Sequence, residues 1–171
     1  MSFTRKEYDE EGPRKSYTPA QAKVKIAAFC AYQERCQKEV RDKLYSYGLS
    51  SSDVEEVLTT MILEGFINEE RFAKAFVSGK FRIKKWGKMR IAQELKRRVN
   101  SENLVRMALQ EIDEEEYWNT LLHLAEKKLR DIQEVDPFKK KLKLHQFLLY
   151  KGYEHDVIQS ALEELQLKGE L

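Results

Sequence analysis

Basic side chains crowd one stretch of the sequence, between residues 71 and 98. This stretch holds eleven lysines and arginines but a single acid, Glu94. Clustered cations attract phosphate groups through charge and through the release of counterions, without reading a base sequence. Because the formal net charge of the chain is only +2, it is the uneven distribution of charge, and not its total, that indicates a polyanionic partner.

The central part of this stretch, from Lys80 to Arg98, is the best candidate contact surface. Helical spacing places Lys80 and Lys84 one turn apart, and Lys88 follows a break at Trp86-Gly87, close to Lys85. The residues predicted to bind are Lys80, Arg82, Lys84, Lys85, Trp86, Lys88, Arg90, Arg97 and Arg98. The alternative is a solvated helix face, because runs of lysine on helices are common.

The aromatic residues of this region have two possible roles. Trp86 can stack on a base or clamp a partner, or it can fill the helix break as a packing wedge. Phe72 and Phe76 lie four residues apart on an apolar stripe, so we expect both in the core.

A second lysine patch and an acidic cluster follow further along the chain. Lys139, Lys140, Lys141 and Lys143 alternate with apolar residues that are expected in the core, namely Leu142, Leu144, Phe147 and Leu148. Lys139, Lys140 and Lys143 either extend the contact surface or are simply solvated. The acids between Glu111 and Glu116 either suit the start of a helix or oppose basic patches on a protein partner.

Catalysis, metal binding and membrane insertion are not expected. His123, His145 and His155 fall in different predicted helices without metal-ligand spacing, and no phosphate loop, nucleophile elbow or HExxH motif is present. Cys30 and Cys36 are too far apart for a CxxC pair, which favours reduced thiols in the cytoplasm. No apolar run approaches the ~20 residues of a membrane span, and the first residues lack the apolar region of a secretory signal.

Helices must position these side chains, because the chain has only 7 glycines and 3 prolines and is 35% charged. Periodicity and capping residues predict nine of them: about 19–34, 37–47, Ser52 to Gly65, from Asn68, 88–98, from Ser101, from Asp113, Asp136 to Lys151, and 155–167. The fourth should bury Phe72, Ala75, Phe76, Gly79 and Ile83, and the sixth Leu104, Met107 and Ala108. In the first, either Val24 with Ala27, Ala28 and Ala31 or Ile26 with Phe29 and Cys30 faces inward.

The helices recur in threes. The apolar positions that coincide between the three copies are Val40, Leu44, Leu49, Val54 and Leu58; Ile91, Leu95, Val99, Leu104 and Ala108; and Leu144, Leu148, Tyr153, Ile158 and Leu162. The second copy is one residue shorter at its turn. We therefore predict an all-α fold of three tandem three-helix repeats, at 18–67, 68–112 and 113–171, stacked into an elongated, curved array after a mobile tail at 1–17.

The stretch Gly65-Phe66-Ile67-Asn68-Glu69-Glu70-Arg71-Phe72-Ala73 resembles the "G-[YF]-[IL]-D-D-x-R-F-A" signature of the RecX family. It is followed by a basic stretch, Gly87, and Arg90-Ile91 through Glu94-Leu95, similar to that family's "R-[IL]-x-x-E-L" pattern. Asn68 replaces the first Asp, and Arg97-Arg98-Val99 replaces the usual "K-G-[IV]". The resemblance covers about residues 20–165.

This resemblance implies a regulator of recombination and DNA repair that binds the RecA filament on DNA and inhibits its growth and its ATP-driven activities. It also implies direct contacts with the phosphates of single- or double-stranded DNA. We expect a cytoplasmic monomer that acts by binding, with no catalytic residues, cofactor, metal or membrane contact. The alternatives are a generic DNA- or RNA-binding helical module without RecA specificity, and a structural adaptor whose lysines are merely solvated.

Overall fold

The computed structural model describes residues 16–171, and within that range it contains nine α-helices and no strand. The helices are α1 Pro19–Tyr32, α2 Gln37–Ser46, α3 Ser51–Leu63, α4 Glu69–Arg82, α5 Lys88–Lys96, α6 Glu102–Leu109, α7 Glu114–Asp131, α8 Pro137–Lys151 and α9 His155–Leu167. None of these helices combines the length and the hydropathy needed to cross a membrane.

Most of the expected tail, residues 1–15, lies outside the described part of the chain. Its last residue, Tyr17, is in place beside the first triplet of helices. The Tyr17 amide donates a hydrogen bond to the Tyr47 carbonyl at 3.0 Å, and the two rings meet edge to face at 5.4 Å.

Side-chain caps start the helices at the positions where the sequence has Ser, Thr, Asn or Asp. Thr18 accepts a hydrogen bond from the Gln21 amide, and the Gln21 side chain accepts one from the Thr18 amide, which completes a capping box. Asn68, Ser101, Asp113 and Asp136 each cap a helix as predicted. The prediction for α3 was wrong by two residues, because Ser50 rather than Ser52 accepts the Asp53 amide.

The nine helices pack most closely within three consecutive triplets: α1–α3, α4–α6 and α7–α9. The first triplet forms one compact unit of residues 16–33 and 37–67, whereas the second and third triplets, with residues 34–36, form another. The expectation of an all-α chain with three tandem three-helix domains is therefore confirmed. Each unit has its own buried core, and that of the larger one is continuous from α4 to α9.

The periodic apolar positions named for the repeats are buried, with one exception. Leu104 is only half-buried, and the adjacent Val105 takes its place in the core. The first and third copies turn through Gly48 and Gly152, whose φ angles are +81° and +92°. The shorter turn of the second copy has Arg97 in the right-handed helical region and needs no glycine.

Several predicted inward faces were wrong by one residue. In α4 the buried residues are Phe72, Ala73, Val77 and Phe81, while Ala75 is exposed, Ile83 is 77% exposed and Phe76 and Gly79 are only partly buried. Met107 in α6 and Leu142 in α8 also face solvent. In α1 the Ile26 and Cys30 alternative is confirmed for those two residues, and Val24 is exposed. The apolar stripe of each helix is wider than its buried face, so periodicity alone selects the wrong edge.

Candidate nucleic-acid interface

The loop of residues 83–87, between α4 and α5, is held against the end of α8. The Gly87 amide donates to the Lys151 carbonyl at 2.9 Å, and the Met89 amide donates to the Gly152 carbonyl at 3.0 Å. A Cβ on Gly87 would lie 2.3 Å from the Gly152 carbonyl carbon and oxygen. Only glycine permits this approach, so the Trp86-Gly87 break in the sequence marks a backbone contact between the second and third triplets.

Tyr117 of α7 holds the start of α5 through a hydrogen bond to its first residue. Its buried phenol accepts a hydrogen bond from the Lys88 amide at 3.0 Å and donates one to Glu154 Oε2 at 2.5 Å. Burial, reinforced by the Glu154 carboxylate, raises the pKa of Tyr117 well above its usual value. The phenol therefore keeps its proton and remains a donor at every ordinary pH.

Most cations of the basic stretch already have a carboxylate partner on this chain. Glu111 pairs with Lys74 at 3.0 Å, Glu114 with Lys88 at 2.5 Å, and Glu116 with Arg82 at 3.3 Å. The acidic cluster before and at the start of α7 thus neutralises part of the basic stretch, in addition to starting the helix at Asp113.

The end of α5 is paired in the same way. Glu94 pairs with Arg97 at 3.2 Å and with Arg98 at 3.1 Å, and the Arg98 hydrogen bond is the main cause that lowers the pKa of Glu94. Exposed pairs of this kind contribute little to stability and leave the cations accessible. They reduce the net charge that these residues offer to a phosphate.

Lys84 and Lys85 are the exposed cations of the stretch that have no carboxylate partner among residues 16–171. Lys80 and Arg90 also lack such a partner there, but both are half-buried beside aromatic rings. The main chain of Lys84 and Lys85 is fixed, because Lys151 Nζ donates to the Lys84 carbonyl at 3.4 Å and the Tyr153 hydroxyl donates to the Lys85 carbonyl at 3.3 Å. Lys85 adopts a left-handed φ of 55°. These two exposed ammonium groups are accessible to an anionic partner.

In the same region, three rings alternate with three cations. We call this set the stacking row; in order, it consists of Arg98, Phe76, Lys80, Trp86, Arg90 and Tyr150. The Phe76 ring centroid lies 4.9 Å from Arg98 and 5.2 Å from Lys80. The Trp86 centroid lies 5.0 Å from Lys80 and 4.1 Å from Arg90, and the Tyr150 centroid lies 4.9 Å from Arg90. Cations over ring faces are attracted by the ring quadrupole. The row runs from α4 across the loop and α5 to α8.

The structure brings Lys80, Trp86, Arg90 and Arg98 together in this row. Lys84 and Lys85 precede Trp86 in the same loop, and Lys85 lines a groove with Glu116 and His123 of α7.

No sequence pattern predicts Tyr150 as part of this surface. The apolar stripe of α4 predicts Phe76 in the core, but Phe76 is only partly buried. Arg90 binds the Tyr150 carbonyl at 3.1 Å across 60 residues of chain, so no local pattern signals this contact. The sequence indicates this surface only through the position of Lys84 and Lys85 directly before Trp86.

The lysines of the second patch do not share one surface, because Lys140 and Lys143 line different grooves. Lys143 pairs with Glu134 at 2.9 Å and lines a groove with Phe147 and Tyr150. Lys140 lies in a separate groove with Glu126 and Glu170. Lys139 is exposed at the start of α8, and Leu142 and Phe147 are not fully buried, contrary to the expected core role.

Two of the three histidines, His145 and His155, meet in the structure. Among residues 16–171, no three His, Cys, Asp or Glu side chains converge on one point. His145 and His155 face each other with Nε2 and Nδ1 3.0 Å apart, and burial, followed by His155 and Lys141, lowers the pKa of His145. Cys30 and Cys36 are both buried, and they are thiols rather than the two halves of a disulfide.

The three helical triplets each match a known domain type. Models of the first, second and third three-helix domains of RecX match residues 22–61, 68–109 and 114–162, in that order. The chain belongs to the RecX family. The family expected from the sequence motifs is therefore confirmed, and RecX proteins are regulatory proteins by name.

Individual RecX proteins resemble the chain over most of its length. Regulatory protein RecX of Bacillus cytotoxicus is 30% identical over 145 residues, which is 85% of this chain and 54% of that protein. The counterpart from Bacillus mycoides is 29% identical over the same shares. The chain thus spans about half the length of the curated relatives it matches.

Solved RecX structures share the fold. The crystal structure of RecX from Lactobacillus salivarius superimposes with a TM-score of 0.77 at 26% identity, covering 87% of this chain and 97% of that one. A second crystal structure of regulatory protein RecX gives a TM-score of 0.77 at 21% identity, covering 85% and 71%, and supports the fold alone.

Proposed function

We propose that this RecX family member binds the RecA filament on DNA and inhibits its extension and its recombinase and ATPase activities. The observation that carries the proposal is the uncompensated charge of Lys84 and Lys85 in the loop that also carries Trp86 of the stacking row, on a surface whose main chain is fixed. Phosphate contacts need accessible cations held in position. The family membership supplies RecA as the partner.

The mechanism that we propose is occupancy, without catalysis. The chain lies, as a monomer in the cytoplasm, across neighbouring RecA subunits and the DNA path, and hinders subunit addition or the conformational cycle. Lys80, Lys84, Lys85 and Arg90 supply most of the electrostatic attraction. Arg82, Lys88, Arg97 and Arg98 contribute less, because acids of the same chain already pair with them.

The deciding measurement is the ATPase rate of RecA on single-stranded DNA with and without this protein. We expect the rate and the filament length to fall as the protein is added. An unchanged rate together with unchanged filament length would contradict the proposal.

A pair of charge-reversal variants tests the surface. Lys84→Glu with Lys85→Glu is expected to weaken inhibition and filament binding while leaving helicity and the melting temperature unchanged, because neither ammonium group has a carboxylate partner to lose. The matched control is Lys25→Glu with Lys38→Glu, which makes the same charge change in the first unit. Full inhibition by the Lys84/Lys85 variant would remove this surface from the mechanism.

The runner-up function is a helical nucleic-acid-binding module without RecA specificity. The stacking row favours it, because rings and cations can bind a nucleic acid without help from RecA. Binding to bare single-stranded DNA with no effect on the RecA ATPase would favour this alternative.

The structural adaptor is the remaining alternative. DNA affinity that does not change with salt concentration would support it, because phosphate contacts make affinity fall as salt rises.

A further inference from the structure

We propose that the stacking row is a base-stacking site, which binds the unpaired nucleobases of a single-stranded nucleic acid and has Tyr150 as its outermost ring. The proposal rests on the proposed function only in assigning this surface to nucleic acid. It adds a ligand class, unpaired bases, and two ring residues, Tyr150 and Phe76, to a surface so far defined by its charges.

Tyr150 offers an open ring. Its side chain is 71% exposed near the end of α8, and Arg90 lies over the ring at 4.9 Å. A large aromatic ring left this exposed contributes nothing to the core. Every nucleobase has an apolar face that gains by stacking on such a ring, whatever its sequence.

The two cations beside Trp86 are not equivalent. Arg90 is anchored, because it stacks on Trp86 at 4.1 Å and donates to the Tyr150 carbonyl at 3.1 Å. Lys80 is a point charge on a flexible stem over the same ring at 5.0 Å. When a base arrives, the Lys80 ammonium can move to the adjoining phosphate and expose the Trp86 ring, while Arg90 stays between Trp86 and Tyr150 and holds the two rings in position.

The charges near the row suit a backbone that follows the stacked bases. Lys84 and Lys85 precede Trp86 directly and have no carboxylate partner among the described residues. One turn before Tyr150 on α8, the Phe147 ring centroid lies 5.1 Å from the Lys128 ammonium and 5.8 Å from the Lys151 ammonium. Phe147 and Tyr150 line a groove together with Lys143. Cations thus accompany the rings on both sides of Tyr150.

The row discriminates against duplexes. In a double helix both faces of each base are covered by its neighbours, so no face is left for Tyr150 or Trp86. A duplex still presents its phosphates, and Lys84 and Lys85 would attract phosphates in either form. Preference for unpaired bases is therefore the property that separates stacking from simple charge attraction.

Trp86 can report on the site. The chain has only two tryptophans, so Trp118→Phe leaves Trp86 as the sole tryptophan, which can be excited selectively. Trp118 is on α7 and is not a member of the row. This variant is titrated, without RecA, with oligothymidylate of about 15 nucleotides, with an abasic oligomer of the same length and with a duplex. We expect a change in Trp86 fluorescence with oligothymidylate and at least about tenfold weaker binding of the abasic oligomer.

Tyr150→Ala is the matching variant, and Tyr32→Ala, which removes an 84% exposed ring from the first unit, is its control. Tyr150→Ala should lose about tenfold in affinity for oligothymidylate and little for the abasic oligomer, with an unchanged melting temperature. Tyr32→Ala should change neither. An oligouridylate titration distinguishes the two sources of unpaired bases: a DNA preference assigns them to DNA and an RNA preference to RNA, and both support stacking.

Equal affinity for oligothymidylate and the abasic oligomer, with Trp86 fluorescence unchanged, would overturn the base-stacking site. That result concerns the free protein, so the RecA ATPase measurement remains an independent test of the proposed function. Inhibition of RecA without a base requirement would leave a surface that binds through charge alone.

Discussion

Tyr117 joins two triplets through a single oxygen atom. Its phenol accepts the Lys88 amide and donates to Glu154, while its ring lies between Phe81 and Tyr153 at 5.8 and 5.1 Å. A buried phenol that both accepts and donates is fully used. The position of Lys88, and with it the start of α5, depends on this atom.

Tyr117→Phe should therefore lower the free energy of unfolding by about 1–3 kcal/mol, because the Lys88 amide loses its acceptor and Glu154 loses a donor. Urea denaturation measures the change. Tyr45→Phe, which removes an exposed hydroxyl 3.3 Å from Ser51, is the control and should change stability by less than about 0.5 kcal/mol. Equal effects would show that the buried contacts contribute nothing.

The same phenol predicts a dependence on alkaline pH. Burial raises the folded-state pKa of Tyr117 above its ordinary value of 10.0, so its contribution is complete below that value. Above it, the unfolded chain releases the proton and the folded chain retains it, and stability falls by up to about 1.4 kcal/mol per pH unit. The difference in stability between wild type and Tyr117→Phe should shrink from about pH 10 upward. A constant difference across that range would contradict the assignment.

Alanine substitutions at Gly87 and Gly79 are expected to change stability in opposite directions. Gly87→Ala should destabilise the protein by about 1–3 kcal/mol or more, because the new methyl group meets the Gly152 backbone. Gly79→Ala, inside α4 with no atom within 4 Å of the new Cβ, should stabilise it by up to about 1 kcal/mol. Thermal melting of both variants checks the signs, and two changes of the same sign would mean that the loop is not held as described.

At the scale of the helix, the buried face and the apolar stripe are different things. Leu95 on α5 is completely buried, whereas Leu142 on α8 is 46% exposed although its neighbours Leu144 and Leu148 are in the core. Leu95→Ala should cost about 2–5 kcal/mol as a core truncation, and Leu142→Ala less than about 1 kcal/mol. Denaturant titration separates the two, and a loss below ~0.5 kcal/mol for Leu95→Ala would mean that the register is wrong.

The sequence predicted what local rules determine. Caps such as Thr18 and Asn68 and the turn at Gly152 follow from hydrogen bonding and backbone sterics within a few residues. The edges of the buried faces did not follow, because the choice between Ile83 and Phe81 is made by the neighbouring helices. Ser52 was the wrong cap for α3 because three consecutive serines, 50–52, carry the same side-chain acceptor and a rule based on residue type does not choose between them.

The candidate site was predictable only in part. The cations of the basic stretch are visible in the sequence, and so is Trp86 among them. Two further features depend on how the second and third triplets pack. These are the pairing of the cations with Glu114 and Glu116, and the contact of Tyr150 with Arg90. Side chains 26 and 60 residues apart meet in these contacts, and composition cannot reveal which cations stay uncompensated.

At the scale of the whole molecule, a chain with a net charge of only +2 still exposes two adjacent lysines, Lys84 and Lys85, that have no carboxylate partner among the described residues. Lys84→Ala with Lys85→Ala should lower the slope of log affinity against log salt by about 1.4 for single-stranded DNA, if each contacts one phosphate. Titration at several salt concentrations measures the slope. An unchanged slope would place the phosphates elsewhere.

The meeting of Gly87 with Gly152 also bears on how such a chain can evolve. In proteins built from stacked repeats, each copy contacts only its neighbours, so the interface between two copies sets how far one depends on the other. Here the second and third copies share two main-chain hydrogen bonds, at Gly87 and Met89, which no side-chain substitution can replace. These two copies should therefore be inherited together, and a chain shortened after residue 112 would leave both amides and the loop that carries Lys84 and Lys85 without support.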